Sequence, residues 1–232
     1  MYPDLTARRM SPKWWDHQWF VNRNLSRAVK KVMTHYARPQ PGEVVVDFGC
    51  GRKPYEPLFQ ERGCKYIGCD IQGEVDVMVH PGQPLALPDN YADGVVSFQV
   101  LEHIWDIEWY LSECHRILKP GGWLELSTHG TWLYHPAPTD FRRWTRDGLV
   151  GELEQRGFKV ETVEPVLGPL AWTTMFRLLG FQEVLRKIPF LGKMMVLPLI
   201  CLMNGRMVLE DWITPASMTA VHAAIYVTLS RK

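Results

Sequence analysis

The sequence predicts an α/β protein with a mostly parallel sheet and helices on both faces of that sheet. Two observations lead to this fold class. The first is a strand, a tight glycine turn and a helix start within residues 44–54. The second is the alternation of strand-like and helix-like segments that follows as far as residue 163, which is typical of βαβ units.

The run from Val44 to Pro54 reads Val-Val-Val-Asp-Phe-Gly-Cys-Gly-Arg-Lys-Pro. Its three β-branched residues predict a buried strand that Asp47 closes. Gly49 and Gly51 predict a turn where a ligand can approach the backbone closely, because glycine has no Cβ. Pro54 suits the first turn of a helix, since its fixed φ is helical. This is the first half of a nucleotide-binding βαβ unit.

The same patterns predict the later elements in order. Strands are expected near residues 65–70, 75–79, 94–98, 123–127 and 158–163, and helices near 24–37, 105–119 and 145–155. Thr145 is the expected cap of the last of these helices, and Gly157 its end.

Bulk properties narrow the class of protein. With 232 residues and 46% hydrophobic content, the chain can form one domain with a sizeable core. A net charge of +1 predicts no general nucleic-acid-binding surface. Five cysteines without a Cys-x-x-Cys pair favour reduced thiols in a cytoplasmic protein. We see no apolar segment typical of a secretory signal near the N-terminus.

The composition divides the chain into four parts. These are an aromatic and helical N-terminal cap (1–42), the α/β core (43–167), a hydrophobic helical insertion (168–217) and the last strand of the core (218–232). Residues 194–203 carry no charge but are too few to span a bilayer. Two interpretations of the insertion stay open: a lid packed at the sheet edge, or a surface that touches a membrane or holds a lipid-linked substrate.

Four motifs, in order across residues 44–127, resemble those of class I S-adenosyl-L-methionine (SAM) methyltransferases of the type 11 group. Asp47-x-Gly49-x-Gly51 resembles motif I. A dinucleotide-binding turn would have a third glycine where this chain has Pro54. The strand 66–70 ends in Asp70, at the offset where a carboxylate meets a ribose diol. Residues 87–103, ending in Leu-Glu-His, and 118–124, Leu-Lys-Pro-Gly-Gly-Trp-Leu, resemble two further motifs of the group.

This resemblance implies a Rossmann-like fold whose last strand lies antiparallel beside the fifth, a role that residues 223–229 fit. It also implies that SAM is the cofactor. The implied binding residues are Asp47, Gly49 and Gly51 for the methionine part, Asp70 for the ribose, Ile71 for the adenine, and Phe98 and Gln99 at the mouth of the site. His80 stands near the position where the family usually has an acidic residue for the adenine amine, so that contact departs from the pattern.

A histidine is the expected general base. His135 lies in the segment 134–145, which resembles a His-x-x-Pro-x-Asp loop of type 11 enzymes associated with glycan and cell-surface biosynthesis. His129 follows the fifth strand and is the second candidate. His103 is expected to position a helix start, and Asp140 and Arg142 to pair within the loop or to act in the site. We expect no metal, because no cluster of carboxylates follows the fourth strand.

The predicted function is SAM-dependent O-methylation of a hydroxyl on a sugar, glycan or lipid-linked intermediate. A C-methyltransferase acting on a quinone or another small apolar acceptor remains an alternative, because the hydrophobic insertion is compatible with it. A methyltransferase-like subunit without catalysis is a further alternative, although intact motif residues count against it. A nicotinamide-dependent oxidoreductase is disfavoured, since the third glycine is missing.

Overall fold

A computed structural model describes residues 5–136 and 138–232 of the protein. Residues 1–4 of the predicted N-terminal cap, and Ala137 of the proline-rich loop, lie outside the described residues.

Two helices precede the sheet. Helix α1 spans Leu5–Met10 and α2 spans Trp19–Val32, which continues into a π-helical turn at Met33–Ala37. Helix α2 begins five residues before the predicted start at residue 24. The reason is burial: Phe20 and Val21 pack into the core, so the apolar stripe of the helix extends toward the N-terminus.

The predicted alternation of strands and helices is present throughout the core. Its elements are β1 (Val44–Phe48), α3 (Glu56–Gln60), β2 (Lys65–Asp70), β3 (Val77–Met78), β4 (Ala92–Phe98), α4 (Ile107–Ile117), β5 (Leu118–His129), α5 (Arg146–Glu154) and β6 (Lys159–Val166). A single 3-10 turn, Leu101–His103, separates β4 from α4. Strand β5 begins five residues earlier than expected, because the Pro-Gly-Gly turn pairs with the backbone of Lys232.

Four elements complete the chain after β6. Helices α6 (Pro169–Arg186) and α7 (Leu191–Ile213) form a helical hairpin, followed by the short helix α8 (Ala216–Val221) and by β7 (Ile225–Arg231). The hairpin therefore occupies the predicted insertion. Among the described residues, each helix is too short or too polar to cross a membrane.

All seven strands form one sheet in the order β3-β2-β1-β4-β5-β7-β6. Strands β1 to β5 run parallel, whereas β7 pairs antiparallel with both β5 and β6. This confirms the Rossmann-like methyltransferase sheet and the antiparallel last strand. Because β1 and β4 are adjacent and their connections leave in opposite directions, the switch point of the sheet lies between their carboxyl ends. In such folds, ligands bind at that point.

The two faces of the sheet carry separate hydrophobic cores. One core contains α2, α3 and the helical hairpin, with Leu25, Met175 and Met207 fully buried. The other contains α4 and α5, with Tyr110 and Leu149 fully buried. Covering both faces explains why the central strands β1 and β4 are buried along nearly their whole length.

Close packing of β4 against β5 leads to a test of the fold. A Cβ added to Gly94 would lie 2.1 Å from Cζ2 of the buried Trp123, whereas one added to Gly180 on α6 would meet nothing within 4 Å. We expect Gly94→Ala to lower the free energy of unfolding by about 1–3 kcal/mol or more through overpacking. Gly180→Ala should be neutral or raise it by up to about 1 kcal/mol, since alanine favours helix. Chemical denaturation of both variants measures the difference, and equal stabilities would contradict the described packing.

Candidate functional site

The glycine turn after β1 brings the backbone close to the end of β4. Gly49 has a φ of +92° and Gly51 a φ of +53°, so both lie in the left-handed region that glycine tolerates. A Cβ on Gly49 would lie 2.4 Å from Cγ2 of Val100, which follows β4. The amides of Gly49 and Cys50 both donate to the carbonyl of Cys69 on β2, at 2.8 and 3.1 Å. The turn is thus held against both neighbouring strands.

Asp70 lies at the carboxyl end of β2 and faces the glycine turn. Its Oδ2 accepts a hydrogen bond from Gly51 N at 2.8 Å, and its Oδ1 accepts from Ile71 N at 2.7 Å. The side chain of Ile71 beside it is 45% exposed, so an apolar surface stands next to the carboxylate. A carboxylate with an adjoining apolar surface suits a ribose joined to a flat base.

An ion pair that the sequence patterns did not predict ties the glycine turn to the segment after β2. Lys53 Nζ contacts Asp76 Oδ2 at 2.7 Å, and the same oxygen accepts from Gly68 N at 2.7 Å. Lys53 packs over Gly68, where an added Cβ would lie 2.6 Å from the lysine Cε. A side chain at residue 68 would therefore displace Lys53 or the Cys50 thiol from its present position.

Asp47 lies beneath the glycine turn in the interior. Its carboxyl group is buried and accepts a hydrogen bond from the Tyr66 hydroxyl. Burial raises the pKa of Asp47 to about 7, although the hydrogen bond from Tyr66 opposes this rise. Asp47 therefore lies in the interior next to the glycine turn, and it does not line the large cavity at this edge of the sheet.

A cavity of about 700 Å³ opens at the switch point of the sheet. Five of the predicted cofactor residues line it: Gly49, Gly51, Asp70, Ile71 and Gln99. Among the described residues, three predicted ones are absent from its lining: Asp47, Phe98 and His80. His80 is exposed, and its neighbours Pro81 and Gly82 take part in the lining instead.

Aromatic side chains that the sequence analysis did not single out form one wall of this cavity. Trp105, Trp109 and Phe141 line it, and Trp105 is 72% exposed. The rings of Trp105 and Phe141 lie edge to face at 5.3 Å. Trp109 Nε1 donates to the carbonyl of Gln83 at 2.9 Å, which fixes that ring in place. In the sequence, the signal available for this wall was Trp105, which stands two residues after the Leu-Glu-His motif.

Three histidines come together beside the cavity, at the carboxyl ends of β4 and β5. We call His103, His129 and His135 the histidine cluster. The ring of His135 lies 5.0 Å from that of His103 and 4.9 Å from that of His129, measured between centroids. His103 is the member that lines the cavity, and its Nδ1 contacts the carbonyl of Thr139. His129 is 4% exposed, which removes it from the surface.

Glu102 supports the cluster from below. Its side chain is fully buried; Oε2 accepts from the Thr128 hydroxyl at 2.9 Å, and Oε1 lies 3.3 Å from His129 Nε2. Burial raises the pKa of Glu102 and holds that of His129 well below its ordinary value, so both groups favour their neutral forms. Neither Glu102 Oε1 nor His129 Nδ1 has a hydrogen-bond partner among the described residues.

Asp140 orients His135. Its Oδ2 accepts from His135 N at 2.9 Å and lies 3.3 Å from His135 Nδ1. Two hydrogen bonds from Arg143 hold this carboxylate and keep the pKa of Asp140 well below its usual range. The predicted pairing of Asp140 with Arg142 is not observed, because Arg142 donates to the carbonyls of Ile104 and Trp105.

The same region could also hold a cation. Ligand atoms of Glu102, His103 and His135 lie within 4.8 Å of one another. Imidazole nitrogens and a carboxylate oxygen suit divalent transition metals. This set was not predicted from the sequence, because its histidines come from separate loops and no cluster of carboxylates marks the site along the chain. The expectation of a metal-free site stays a prediction.

Comparisons with known proteins agree with this geometry. A family model described as a methyltransferase domain matches residues 17–182. A probable S-adenosylmethionine-dependent methyltransferase of Mycolicibacterium smegmatis is 30% identical over 174 residues, which cover 68% of this chain and 66% of that protein. A ubiquinone biosynthesis O-methyltransferase of Rhizobium rhizogenes is 27% identical over 107 residues, covering 40% of this chain and 43% of that protein. The chain thus spans at most about two thirds of these relatives.

Among solved structures, a SAM-dependent methyltransferase from Archaeoglobus fulgidus superposes with a TM-score of 0.56 at 18% identity, over the whole of both chains. At this identity, the likeness concerns the fold.

The cavity fits the cofactor that these relatives name. Its volume lies within the range of small-molecule sites. An added Cβ on Gly51 would meet nothing within 4 Å, so open space lies above that residue. The Asp70 carboxylate and the exposed Ile71 offer the polar and apolar contacts that a nucleoside needs. SAM is the cofactor, and these residues would hold it.

The position of Asp70 leads to a binding test. Asp70→Ala should weaken SAM binding on the order of a hundredfold or more, because hydrogen bonds to a carboxylate contribute about 1.5–3 kcal/mol each. Part of the loss comes from Gly51 N, which loses its acceptor. Asp70→Asn keeps an acceptor oxygen and should lose less. Isothermal titration with SAM, and with a nicotinamide dinucleotide as the negative control, measures both. Unchanged affinity in Asp70→Ala would show that this carboxylate is not the ribose ligand.

The buried Asp47 leads to a test of stability against pH. An acid whose pKa rises on folding, here from 3.8 to about 7, stabilises the folded state fully below the lower value. That stabilisation is lost as the pH rises through the higher one. Asp47→Asn keeps an acceptor for Tyr66 and cannot ionise. From about pH 4 to pH 8, the wild type should therefore lose up to about 4 kcal/mol relative to the variant. Denaturation curves across this range measure the difference, with the exposed Asp147→Asn as control. If the stabilities of the wild type and Asp47→Asn changed equally with pH, the pKa of Asp47 would not be raised in the folded state.

Proposed function

Because the chain belongs to the methyltransferase domain family and its domain is that of a class I SAM-dependent methyltransferase, we propose that it methylates a hydroxyl of a sugar, glycan or lipid-linked intermediate. The observation that carries the proposal is the histidine cluster at the edge of the cofactor cavity. A hydroxyl is a weak nucleophile until a base takes its proton, and imidazole is the usual base for this step.

His135 is the proposed general base. Burial lowers the pKa of His135 although Asp140 opposes this, so the ring is neutral at physiological pH and can accept a proton. Asp140 and the Leu133 carbonyl both lie 3.3 Å from His135 Nδ1. A proton on Nδ1 would therefore be held by these acceptors, which leaves Nε2 to accept one from the substrate. A base oriented by a third group is the usual arrangement of activated nucleophiles.

The other two histidines receive supporting roles. His129 is buried against Glu102, so we assign it to positioning and rank it below His135 as a base. His103 contacts the His135 ring and is the alternative base, because it is the member of the cluster that lines the cavity. SAM supplies a methyl carbon activated by its sulfonium. The protein's part is to align the hydroxyl with that carbon and to remove the hydroxyl proton.

The proposed cofactor contacts follow the cavity lining. Gly49 and Gly51 leave room for the methionine part, Asp70 accepts the ribose hydroxyls and Ile71 packs on the adenine. Gln99 has a φ of +60° and donates to Ser127 through both its backbone and its side chain, which holds it at the mouth of the site. Pro81 and Gly82 replace the predicted contact from His80.

C-methylation of a small apolar acceptor is the second candidate. The aromatic wall formed by Trp105, Trp109 and Phe141 favours it, since a flat apolar ring would stack there. A carbon acceptor of the quinone type also needs a base, so the histidine cluster alone does not separate the two reactions. Assays with saccharide-lipid and quinone-precursor acceptors, followed by mass spectrometry of the methylated product, distinguish an O-methyl from a C-methyl group.

The proposed base leads to a kinetic test. His135→Ala should leave SAM affinity nearly unchanged and lower turnover by roughly 10²–10⁴. In the wild type, turnover should rise with pH through a value below 6.5, because the base works only when neutral. The variant should lose that limb of the profile. The variants His103→Ala and His129→Ala, measured in the same way, show whether another histidine of the cluster is responsible for the rise of turnover with pH.

Two controls separate a base from a metal ligand. Chelation should leave the wild-type rate unchanged if imidazole acts alone. Activity that is lost with a chelator and restored by a divalent cation would assign Glu102, His103 and His135 to a metal instead. If none of the three histidine variants changes the pH profile and chelation has no effect, the proposed role of the cluster is wrong.

A further inference from the structure

The outward face of α7 is mostly apolar, with an exposed basic residue, Arg206, which pairs with Glu210. Its exposed residues include Met194, Leu197, Leu202, Leu209 and Trp212, which are 52–80% accessible, and Trp212 is the most exposed. The opposite face packs into the core through residues such as Met203 and Met207. A helix of 23 residues is about 34 Å long, so this surface is an extended strip. Water-facing strips of this kind are uncommon on monomeric proteins and mark interaction sites.

The N-terminal segment widens this strip. Asn204 Nδ2 donates to the carbonyls of Trp14 and Asp16, which fixes the segment against the middle of α7. Trp15 is 58% exposed there, with Lys13 Nζ 5.5 Å from its ring centroid. We call the outward face of α7 together with this segment the apolar strip.

The helical hairpin carries more basic than acidic residues. Residues 169–213 contain five basic residues and three carboxylates, a net charge of +2, whereas the whole chain has +1. The rest of the chain is therefore net negative. Arg177 and Lys187 are exposed on α6 and just after it, and Phe190 at the tip of the hairpin is 78% exposed. Exposed aromatics among basic residues are typical of helices that lie in a membrane interface.

We propose that the apolar strip docks the protein onto the surface of an anionic membrane, with α7 lying parallel to the bilayer plane. The apolar side chains would enter the boundary between headgroups and acyl chains, and the basic residues would contact lipid phosphates. This inference is independent of the acceptor proposed above. It would bring a methyltransferase domain to the surface where lipid-linked molecules lie.

Charge decides between a lipid surface and a second copy of the chain. Two copies facing each other through this strip would place two hairpins of net charge +2 together, and like charges oppose that contact. An anionic lipid surface is complementary to the same charge, and each basic residue near it contributes about 1 kcal/mol.

Flotation with phosphatidylglycerol and phosphatidylcholine vesicles tests the proposal on the full chain. We expect binding to phosphatidylglycerol at low salt, weakening as salt is added, and little binding to phosphatidylcholine. Leu202→Glu and Trp212→Glu should each weaken binding roughly tenfold or more. Met78→Glu, at an exposed apolar residue on the opposite edge of the sheet, is the matched control and should bind normally.

A charge-reversal pair separates the electrostatic contribution. Arg177→Glu combined with Lys187→Glu should weaken binding about tenfold or more, whereas Lys65→Glu at the other sheet edge should have little effect. Circular dichroism and thermal unfolding verify that each variant is folded. Failure to float at low salt, equal binding to phosphatidylcholine, or a concentration-dependent dimer that Leu202→Glu abolishes would each overturn the proposal.

Discussion

The close approach between the glycine turn after β1 and the end of β4 is the constraint on which the site depends. With any side chain at residue 49, the turn would overlap Val100, and the carboxyl ends of β1 and β4 would move apart. The same turn takes two hydrogen bonds to the Cys69 carbonyl and one to Asp70, so it also sets the end of β2. The cavity exists because three strand ends are held together by backbone contacts that only glycine permits.

The buried acid Glu102 imposes a second constraint, on the side of the cavity that is formed by the ends of β4 and β5. Glu102 has no exposure to solvent and bridges the turn after β4 to Thr128 and His129 on β5. Burial favours the neutral form of the Glu102 carboxyl group. It also favours the neutral form of the His129 ring beside it, because an isolated charge in the interior is costly. The charged pair in this region, Asp140 with Arg143, holds the loop that carries His135.

The sequence predicted the strands along the chain and the nucleotide-binding turn well, because β-branched runs and glycine spacing are local signals. The place of the last strand beside the fifth followed from the family resemblance. Five of eight predicted cofactor residues line the cavity. The remaining features depend on the three-dimensional arrangement of side chains, which local sequence patterns do not specify. The pairing of Lys53 with Asp76 joins two turns, and the preference of Asp140 for Arg143 over Arg142 depends on the direction in which each arginine leaves the loop. The meeting of His103, His129 and His135 likewise depends on three separate segments, so spacing along the chain carries no record of it.

The position of β7 between β5 and β6 has a consequence for biosynthesis. The ribosome makes β6 and the whole helical hairpin before the strand that pairs with both partners. Until β7 emerges, β5 has one unpaired edge and β6 has no partner strand, and the apolar residues beneath the hairpin have no complete sheet to cover. Long-range pairing of this kind forms late and slowly. The nascent chain therefore carries its apolar hairpin before its sheet is complete, and exposed apolar surface and unpaired strand edges make such partly folded chains prone to aggregate.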